Sequence, residues 1–232
     1  MNRTLDVATS FAASAMFGAA GMRALVTGPQ PEKALTLYEF EACPFCRKVR
    51  VALSEMDLDA MIFPCPKNGP RFREEVRRRG GKTQFPYLVD PNTGTEMYES
   101  DDIVRYLASR YREGRVPLSV RLGPLSTTLS SLSSLPRVAR GAFYRSARAP
   151  EQPLELYSFE ASPYCRIVRE ALSELEIPYM LRNVAKGSPR RPAFVERSGK
   201  MMVPYLIDPN TGREMFESAE IVRYLNETYA TG

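Results

Sequence analysis

Two stretches of ten residues carry nearly the same sequence: E-A-C-P-F-C-R-K-V-R at residues 41–50 and E-A-S-P-Y-C-R-I-V-R at residues 160–169. They differ where sulfur chemistry is most expected, since the first has Cys43 and the second has Ser162. The similarity extends well beyond these two stretches. An offset of 119 aligns Leu35 to Glu55 with the corresponding residues of the second copy.

A second block of the repeat is still more alike. After a one-residue slip, Tyr87 to Leu107 aligns with Tyr205 to Leu225, and 16 of 21 positions are identical. Similarity at a fixed spacing is the signature of an internal duplication. The length of 232 residues suits two domains, each of roughly 100 residues. The sequence predicts an N-terminal extension at 1–30, a first domain at 34–113, a connector at 114–152 and a second domain at 153–231.

Both copies have the same order of predicted elements. Alternating apolar residues at Leu35 to Phe40 and at Leu154 to Phe159 are typical of strands. Pro44 and Pro163 follow, and proline suits the first residue of a helix. A second strand, a basic helical segment, two strands joined by a D-P-N-T-G turn and a closing helix complete each copy. This order, βαβ(α)ββα, predicts an α/β fold with a mixed four-stranded sheet in each domain.

Two boundaries in this prediction depend on particular residues. The basic helical segment is predicted at Arg71 to Arg79 in the first copy and at Arg191 to Arg197 in the second. The closing helices are predicted to begin with Ser100 and Ser218 as N-caps, because a serine hydroxyl accepts a hydrogen bond from the first turn.

The composition excludes several kinds of site. Apolar residues make up 44% and charged residues 25%, as in a globular chain. Histidine is absent, which excludes Cys-His and Ser-His catalytic pairs and any histidine-containing metal site. Four cysteines are too few for a secreted disulfide scaffold, and one C-x-x-C beside a strand and a helix indicates an intracellular redox motif. The net charge of +5 is too common to identify a partner.

Two segments outside the repeats leave alternatives open. Residues 1–30 contain two arginines and one acidic residue, which fits an organelle transit peptide or a helical extension better than a secretory signal or a membrane span. Residues 115–150 contain six arginines and no acidic residue. This stretch is either a solvated linker or a helical arm packed between the domains. Leucines at three- and four-residue spacing would give such an arm weak contact with an anionic membrane surface (Leu118, Leu122, Leu125, Leu129 and Leu132).

The C-P-F-C motif has the features of a nucleophilic thiol. Cys43 is predicted at the N-cap of the helix that Pro44 opens, where free N–H groups and the helix dipole favour a thiolate. Cys46 lies one turn later and can attack a mixed disulfide on Cys43. Arg47 and Lys48 are expected to add positive charge nearby. The alternative is half of a zinc site, but the second copy lacks the first cysteine, so no metal is expected.

Three motifs in this order resemble known families. C-P-F-C after a strand resembles the active site of glutaredoxins. F-P-Y-L at 85–88 and V-P-Y-L at 203–206 look like the cis-proline segment of the thioredoxin fold. Glutamate-serine pairs before the last helix of each copy resemble those of glutathione S-transferase N-terminal domains. The resemblance implies two tandem thioredoxin-like domains. This arrangement is similar to duplicated plastid proteins of plants and algae, which implies a chloroplast location, with the cytoplasm as the alternative.

The resemblance also implies a ligand and site residues. Glutathione would be the cosubstrate, with Cys43 attacking a glutathione mixed disulfide and Cys46 resolving it. Glutathionylated or disulfide-containing proteins would be partners, whereas nucleic acid and an iron-sulfur cluster are not expected. The remaining residues implied for the first domain are the backbone of Phe85 before Pro86, Glu99, Ser100 and, for the glycyl carboxylate, Lys82.

The second copy keeps the frame without the nucleophile. Ser162 cannot exchange disulfides, although Cys165 remains. The binding positions of the resemblance are also kept (Val203, Pro204, Glu217 and Ser218). The function expected is a glutathione-dependent thiol-disulfide oxidoreductase acting through Cys43. Its alternatives are a non-catalytic glutathione- or protein-binding scaffold and a transferase-like site at Ser162. Cys65 is expected to be a buried small apolar residue.

Overall fold

The computed structural model of the chain describes residues 7–11, 20–121 and 140–231. The first repeat consists of β1 Leu35–Glu39, α1 Pro44–Glu55, β2 Ala60–Pro64, α2 Arg73–Gly80, β3 Tyr87–Asp90, β4 Thr95–Met97 and α3 Ser100–Tyr111, and a short helix α4 Leu118–Arg121 follows it. The second consists of β5 Leu154–Ser158, α5 Pro163–Glu174, β6 Tyr179–Asn183, α6 Arg191–Ser198, β7 Tyr205–Asp208, β8 Arg213–Phe216 and α7 Ser218–Tyr229. The predicted α/β fold of two βαβ(α)ββα repeats is confirmed.

The two four-stranded sheets join into one sheet of eight strands, in the order β4-β3-β1-β2-β6-β5-β7-β8. Within each repeat the first two strands are parallel and the others are antiparallel. The repeats meet where β2 and β6 pair antiparallel, with Met61 opposite Met180 at the centre. Strand edges carry unpaired N–H and C=O groups, and this pairing satisfies those of the inner edge of each repeat. The sequence analysis did not predict this contact.

Each strand contributes side chains to two layers, because successive residues point to opposite faces of a sheet. Leu35 and Leu37 of β1 belong to one large apolar core with residues of α1 and α3, and this core continues into the second repeat. Tyr38 belongs to a smaller cluster on the other side with Val76 of α2. The helices α1 and α3 therefore cover one face of the sheet, and α2 covers the other. The N-termini of α1 and α3 lie at the same end of the strands.

Two arms hold the repeats together from outside the sheet. The N-terminal arm, residues 20–26, pairs with the second repeat, where the Lys186 N–H donates to the Met22 carbonyl oxygen at 2.9 Å. The central arm, residues 140–147, pairs with the first repeat, where the Lys67 N–H donates to the Ala142 carbonyl oxygen at 2.7 Å. Each arm thus precedes one repeat in sequence and binds the other, so the duplication includes the arms.

A buried ion cluster fills the interface between the repeats. Arg50 Nε lies 3.1 Å from Glu160 Oε2, and Arg169 Nη2 lies 2.8 Å from the same oxygen. Arg169 Nε also lies 3.0 Å from Glu41 Oε2. The members of the cluster are Glu39, Glu41, Arg47, Arg50, Glu160, Arg166 and Arg169. Buried charges are costly unless they are paired, so the cluster requires one relative placement of the two repeats.

Two predicted boundaries are wrong. Ser100 and Ser218 are the first residues of their helices and not the N-caps, because the carbonyl oxygens of Glu99 and Glu217 accept the first helical hydrogen bonds, each at 2.9 Å. Helix α2 begins at Arg73 instead of Arg71. Arg71 is held outside the helix because its guanidinium donates to the Leu175 carbonyl oxygen at 2.9 Å in the other repeat.

The connector is not a solvated linker where the structure describes it. Ser119 of α4 hydrogen-bonds the Glu55 carboxylate, and residues 140–147 form the central arm. Of the five leucines proposed for membrane contact, only Leu118 lies in the described part of the chain, and it is exposed. The other four lie outside the described residues, as do residues 1–6 and 12–19 of the predicted N-terminal extension. In the described part, no helix has the length and hydropathy that a membrane span requires.

Candidate functional site

Cys43 occupies the N-cap of α1, with extended backbone angles of φ −75° and ψ 120°. Its Sγ accepts a hydrogen bond from the Cys46 N–H at 3.3 Å. The hydrogen bond from the Cys46 thiol lowers the pKa of Cys43 below its ordinary value; burial opposes this, and the N–H groups of Cys46 and Phe45 support it. Local geometry therefore stabilises a thiolate without any histidine.

Cys46 is the opposite kind of thiol. It is fully buried, and desolvation together with the hydrogen bond to Cys43 raises its pKa well above the ordinary value. Cys46 thus donates a hydrogen bond to Cys43. It can attack a disulfide on Cys43 only after it loses its own proton. The pair consists of one activated and one protected sulfur.

The basic residues after the motif do not act as predicted. Lys48 Nζ lies 2.6 Å from Asp101 Oδ1 and joins α1 to the start of α3. Arg47 is buried in the interface cluster, 3.4 Å from Glu160. Desolvation lowers the pKa of Arg47 to about 9. Both side chains are committed to packing because α1 is buried on most of its surface, so the lowered pKa of Cys43 comes from hydrogen bonds.

The cis-proline segment lies beside the cysteine loop. The Phe85–Pro86 bond is cis, and the Phe85 ring meets Phe40 edge-on at 6.1 Å between centroids. Phe40 is in turn tied to the motif, because its carbonyl oxygen accepts from the Cys43 N–H at 3.1 Å. The Phe85 segment therefore packs against the loop that carries Cys43, the place where the resemblance puts the cysteinyl part of glutathione.

The Glu99-Ser100 pair is linked to the same segment. Gln84 Nε2 donates to Glu99 Oε1 at 2.6 Å, and Glu99 has a φ of 66°, an unusual value for a residue other than glycine. Ser100 is buried at the start of α3. Lys82 is exposed and its Nζ lies 4.7 Å above the Tyr98 ring. All of the residues predicted to bind in the first repeat, except Lys82, are thus linked to the end of the sheet that carries Cys43.

The second repeat reproduces this geometry with a hydroxyl. Ser162 is the N-cap of α5, and its Oγ accepts from the Cys165 N–H at 3.3 Å. Cys165 is buried, and desolvation raises its pKa. The Val203–Pro204 bond is cis and Glu217 has a φ of 68°. The frame is therefore kept in three dimensions as well as in sequence.

A cavity of about 280 Å³ gathers four of the six residues predicted for the second repeat. Its walls are Val203, Pro204, Glu217 and Ser218, with Tyr164 and Met202 added. Ser162 lines a neighbouring cavity instead, and Cys165 is buried. Sequence reasoning missed Tyr164, Met202 and, in the first repeat, Gln84. Each is next to a motif residue in the sequence, and that adjacency was the available signal.

The other candidate residues have structural roles. Cys65 is fully buried in the cluster below α2, and burial raises its pKa well above the ordinary value. Within residues 7–11, 20–121 and 140–231, no group of three or more cysteine, aspartate or glutamate side chains is placed to hold a metal ion.

Comparison with known families agrees with the fold. The sequence model described as "Glutathione S-transferase, N-terminal domain" matches residues 37–115 and 156–231. The chain belongs to this family. Membership implies a glutathione-related function, and both repeats are thioredoxin-like domains of the glutathione S-transferase type. The chloroplast location stays a prediction.

The other comparisons add little. A solved structure described as "Leishmania TDR1 - a unique trimeric glutathione transferase" is similar to 85% of this chain and 69% of its own, with 16% sequence identity and a TM-score of 0.30. That score is too low to support any argument about this chain. No curated protein matches the sequence at a significant level.

Proposed function

We propose that this glutathione S-transferase N-terminal domain protein is a glutathione-dependent thiol-disulfide oxidoreductase acting through Cys43. The observation that carries the proposal is the pair of sulfurs at the start of α1, where a hydrogen bond from Cys46 lowers the pKa of Cys43. The neighbouring cis-Pro86 segment and Glu99 supply a frame for the peptide. The Cys43 residue is 5% exposed, which favours the slim end of a glutathione disulfide over a disulfide fixed inside a folded protein.

The reaction conserves electrons through two exchanges. The Cys43 thiolate attacks the glutathionyl sulfur of a mixed disulfide, and the substrate thiolate leaves with one proton from solvent. The new disulfide between Cys43 and glutathione is then attacked by a second glutathione, which yields oxidised glutathione and restores the Cys43 thiolate. Attack by Cys46 instead forms a disulfide between Cys43 and Cys46, and two glutathione molecules reduce it. The raised pKa of Cys46 favours the route that uses a second glutathione over the attack by Cys46.

Reduction of a glutathionylated peptide tests the proposal. Cys43→Ser should abolish turnover, whereas Cys46→Ser should keep it through the route that uses a second glutathione. Cys165→Ser is the matched control, because Cys165 is the equivalent of Cys46 in the repeat that has no nucleophile. Equal rates for the wild type and Cys43→Ser would refute the proposal.

A second candidate function rests on the cavity of the second repeat. Its cis-proline edge, Glu217 and Ser218 favour glutathione binding without disulfide exchange, which corresponds to the scaffold alternative. Calorimetry with glutathione on Cys43→Ser, with and without Glu217→Gln, tests this function. Transferase activity at Ser162 would require conjugation that is lost in Ser162→Ala and kept in Cys43→Ser.

A further inference from the structure

The buried ion cluster between the repeats is symmetric in sequence except at one position. Three of its residues in the first repeat have identical counterparts in the second: Glu41, Arg47 and Arg50 correspond to Glu160, Arg166 and Arg169. The fourth, Glu39, has no such counterpart, because Ser158 occupies its place. The cluster therefore contains one extra carboxylate, and this carboxylate belongs to the repeat that has the nucleophile.

The extra carboxylate stands beside the buried cysteine of its repeat. Burial raises the pKa of Cys165, and a hydrogen bond from the Ser158 hydroxyl is among the interactions that oppose this rise. Glu39 ends β1 as Ser158 ends β5, so it takes the same place beside Cys46. Burial raises the pKa of Cys46, and the charge of Glu39 adds to the rise. The hydrogen bond from Cys46 lowers the pKa of Cys43, and the charge of Glu39 works against it.

Arg50 links this carboxylate to the second repeat. Its Nη1 donates to the Glu39 carboxylate, and its Nε lies 3.1 Å from Glu160 Oε2. All three side chains are buried, so water screens their charges little. The charge of one guanidinium is therefore divided between a carboxylate of each repeat.

The protonation of Glu39 depends on groups from both repeats. Burial raises its pKa to about 7. The attraction of two arginines, Arg50 and Arg169, opposes this rise, whereas the repulsion of Glu41 and Glu160 supports it. The other titratable groups that face Glu39 are Cys43, Cys46, Cys65 and Tyr179. Removal of the Glu160 charge would end one repulsion and leave more of Arg50 to Glu39, so Glu39 would lose its proton at lower pH.

We propose that Glu39 is a positioning residue for the reaction of Cys43, and that the second repeat sets its charge. Glu160 does so by sharing Arg50 with it. Ionised Glu39 disfavours the Cys43 thiolate, and protonated Glu39 does not. The second repeat, which has no nucleophile of its own, thus acts on the chemistry of the first. The inference rests on the proposed function for its part in disulfide exchange, but the thiolate is measured without glutathione.

Alkylation of Cys43 by iodoacetamide in the full chain, followed by mass spectrometry from pH 5 to 9, tests the proposal. Glu39→Ser introduces the residue of the second repeat, and it should speed alkylation severalfold at pH 7 because the charge that opposes the thiolate is gone. Glu160→Gln should slow alkylation between pH 6 and 7, where Glu39 has then lost its proton, and should match the wild type at pH 9. A direct effect of the lost Glu160 charge would have the opposite sign.

Two further variants separate this route from others. The double variant Glu39→Ser with Glu160→Gln should show no slowing. Glu220→Gln is the matched control, because it removes a negative charge of the second repeat from a pair with Arg223 on the exposed face of α7. It should leave alkylation unchanged. Circular dichroism at each pH shows whether a variant is folded, and Glu160→Asp replaces Glu160→Gln if the latter unfolds. Its shorter side chain holds Arg50 less closely, so it should also slow alkylation.

Three results would overturn the proposal. They are alkylation of Glu39→Ser at the wild-type rate at pH 7, alkylation of the folded Glu160 variant at the wild-type rate or faster between pH 6 and 7, and slowing that persists without Glu39. Turnover of a glutathionylated peptide by the wild type is measured separately. Its absence would refute the proposed function and leave the alkylation result in place.

Discussion

Arg50 of the first repeat and Glu160 of the second form a buried ion pair, with 3.1 Å between Nε and Oε2. Arg50 also contacts Glu39 and lies 3.4 Å from Glu41. One guanidinium therefore neutralises carboxylates from both repeats. The stability lost when Arg50 is removed will show how strongly the repeats depend on each other.

Arg50→Met should lower the free energy of unfolding by about 3–5 kcal/mol, the usual cost of removing one partner from a buried pair. The measurement is urea unfolding followed by circular dichroism. Arg105→Met is the control, because Arg105 pairs with Asp102 on the exposed face of α3 and should contribute little. Similar midpoints for the two variants would show that the cluster does not hold the interface.

Stability should fall as the pH rises from about 4.5 to about 7. Desolvation raises the pKa of Glu39 from 4.5 to about 7, against the attraction of Arg50 and with the support of Glu41. The folded protein then binds a proton that the unfolded chain has lost, so deprotonation opposes folding across this range. Glu39→Gln should flatten this slope in urea unfolding measured from pH 4.5 to 7.5. An unchanged slope would contradict the assignment to Glu39.

Glu160 should give the opposite dependence at lower pH. Burial raises its pKa, but Arg169, Arg50, Arg166 and Arg47 outweigh burial and lower it from 4.5 to about 2. Its stabilising effect is therefore complete above about pH 4.5 and is lost as the pH falls toward 2. Glu160→Gln should be destabilised at pH 6 but should lose less stability than the wild type on acidification. If Glu160→Gln lost as much stability on acidification as the wild type does, the prediction would be wrong.

Gly21→Ala should destabilise the protein more than Gly94→Ala. Both glycines have positive φ, 80° and 72°, so alanine strains either by about 1–2 kcal/mol. At Gly21 the new Cβ would also lie 2.8 Å from Cβ of Glu160, whereas at Gly94 it meets nothing within 4 Å. The arginines hold the Glu160 side chain in place, so it cannot move away from the new methyl group. Gly21→Ala should therefore lower the free energy of unfolding by about 2–4 kcal/mol.

Thermal and urea unfolding of the two glycine variants provide the test. Gly141→Ala should behave like Gly21→Ala, since its Cβ would lie 2.8 Å from Cβ of Glu41 in the other repeat. Equal stability of Gly21→Ala and Gly94→Ala would mean that the N-terminal arm does not pack against the cluster.

Ser162→Cys should create a second thiolate. The new sulfur takes the N-cap position whose hydroxyl now accepts from the Cys165 N–H. Ser158 stands where the first repeat has Glu39, a carboxylate that raises the pKa of Cys43. The pKa of the new thiol should therefore equal that of Cys43 or lie below it.

The pH dependence of iodoacetamide alkylation, read by mass spectrometry, measures both thiols. Cys65 is the internal reference, because burial raises its pKa and should keep it unreactive near neutral pH. A midpoint for the new cysteine near that of a free thiol, about 8.5, would show that the N-cap geometry alone does not activate sulfur.

The sequence by itself determined the content of each repeat. Strand alternation before Cys43 and Ser162, proline at the first helical position and the D-P-N-T-G turn are local signals, so they predict elements from neighbouring residues. The N-cap cysteine and the cis-proline segment were located for the same reason. Arg47 and Lys48 were misjudged because a charge near a site in sequence can be paired elsewhere: Arg47 points into the interface between the repeats, and Lys48 pairs with Asp101 of α3.

Only the tertiary structure decided how the two repeats form one molecule. The pairing of β2 with β6, the hydrogen bond between Met22 and Lys186 and the Arg50–Glu160 ion pair each join residues more than 100 positions apart. No local pattern encodes such contacts, because they depend on which strand edge and which charged faces remain once each repeat has folded. The contact between the N-terminal residues and the start of α5 has the same origin, because Ser10 and Pro163 are 153 positions apart in the sequence.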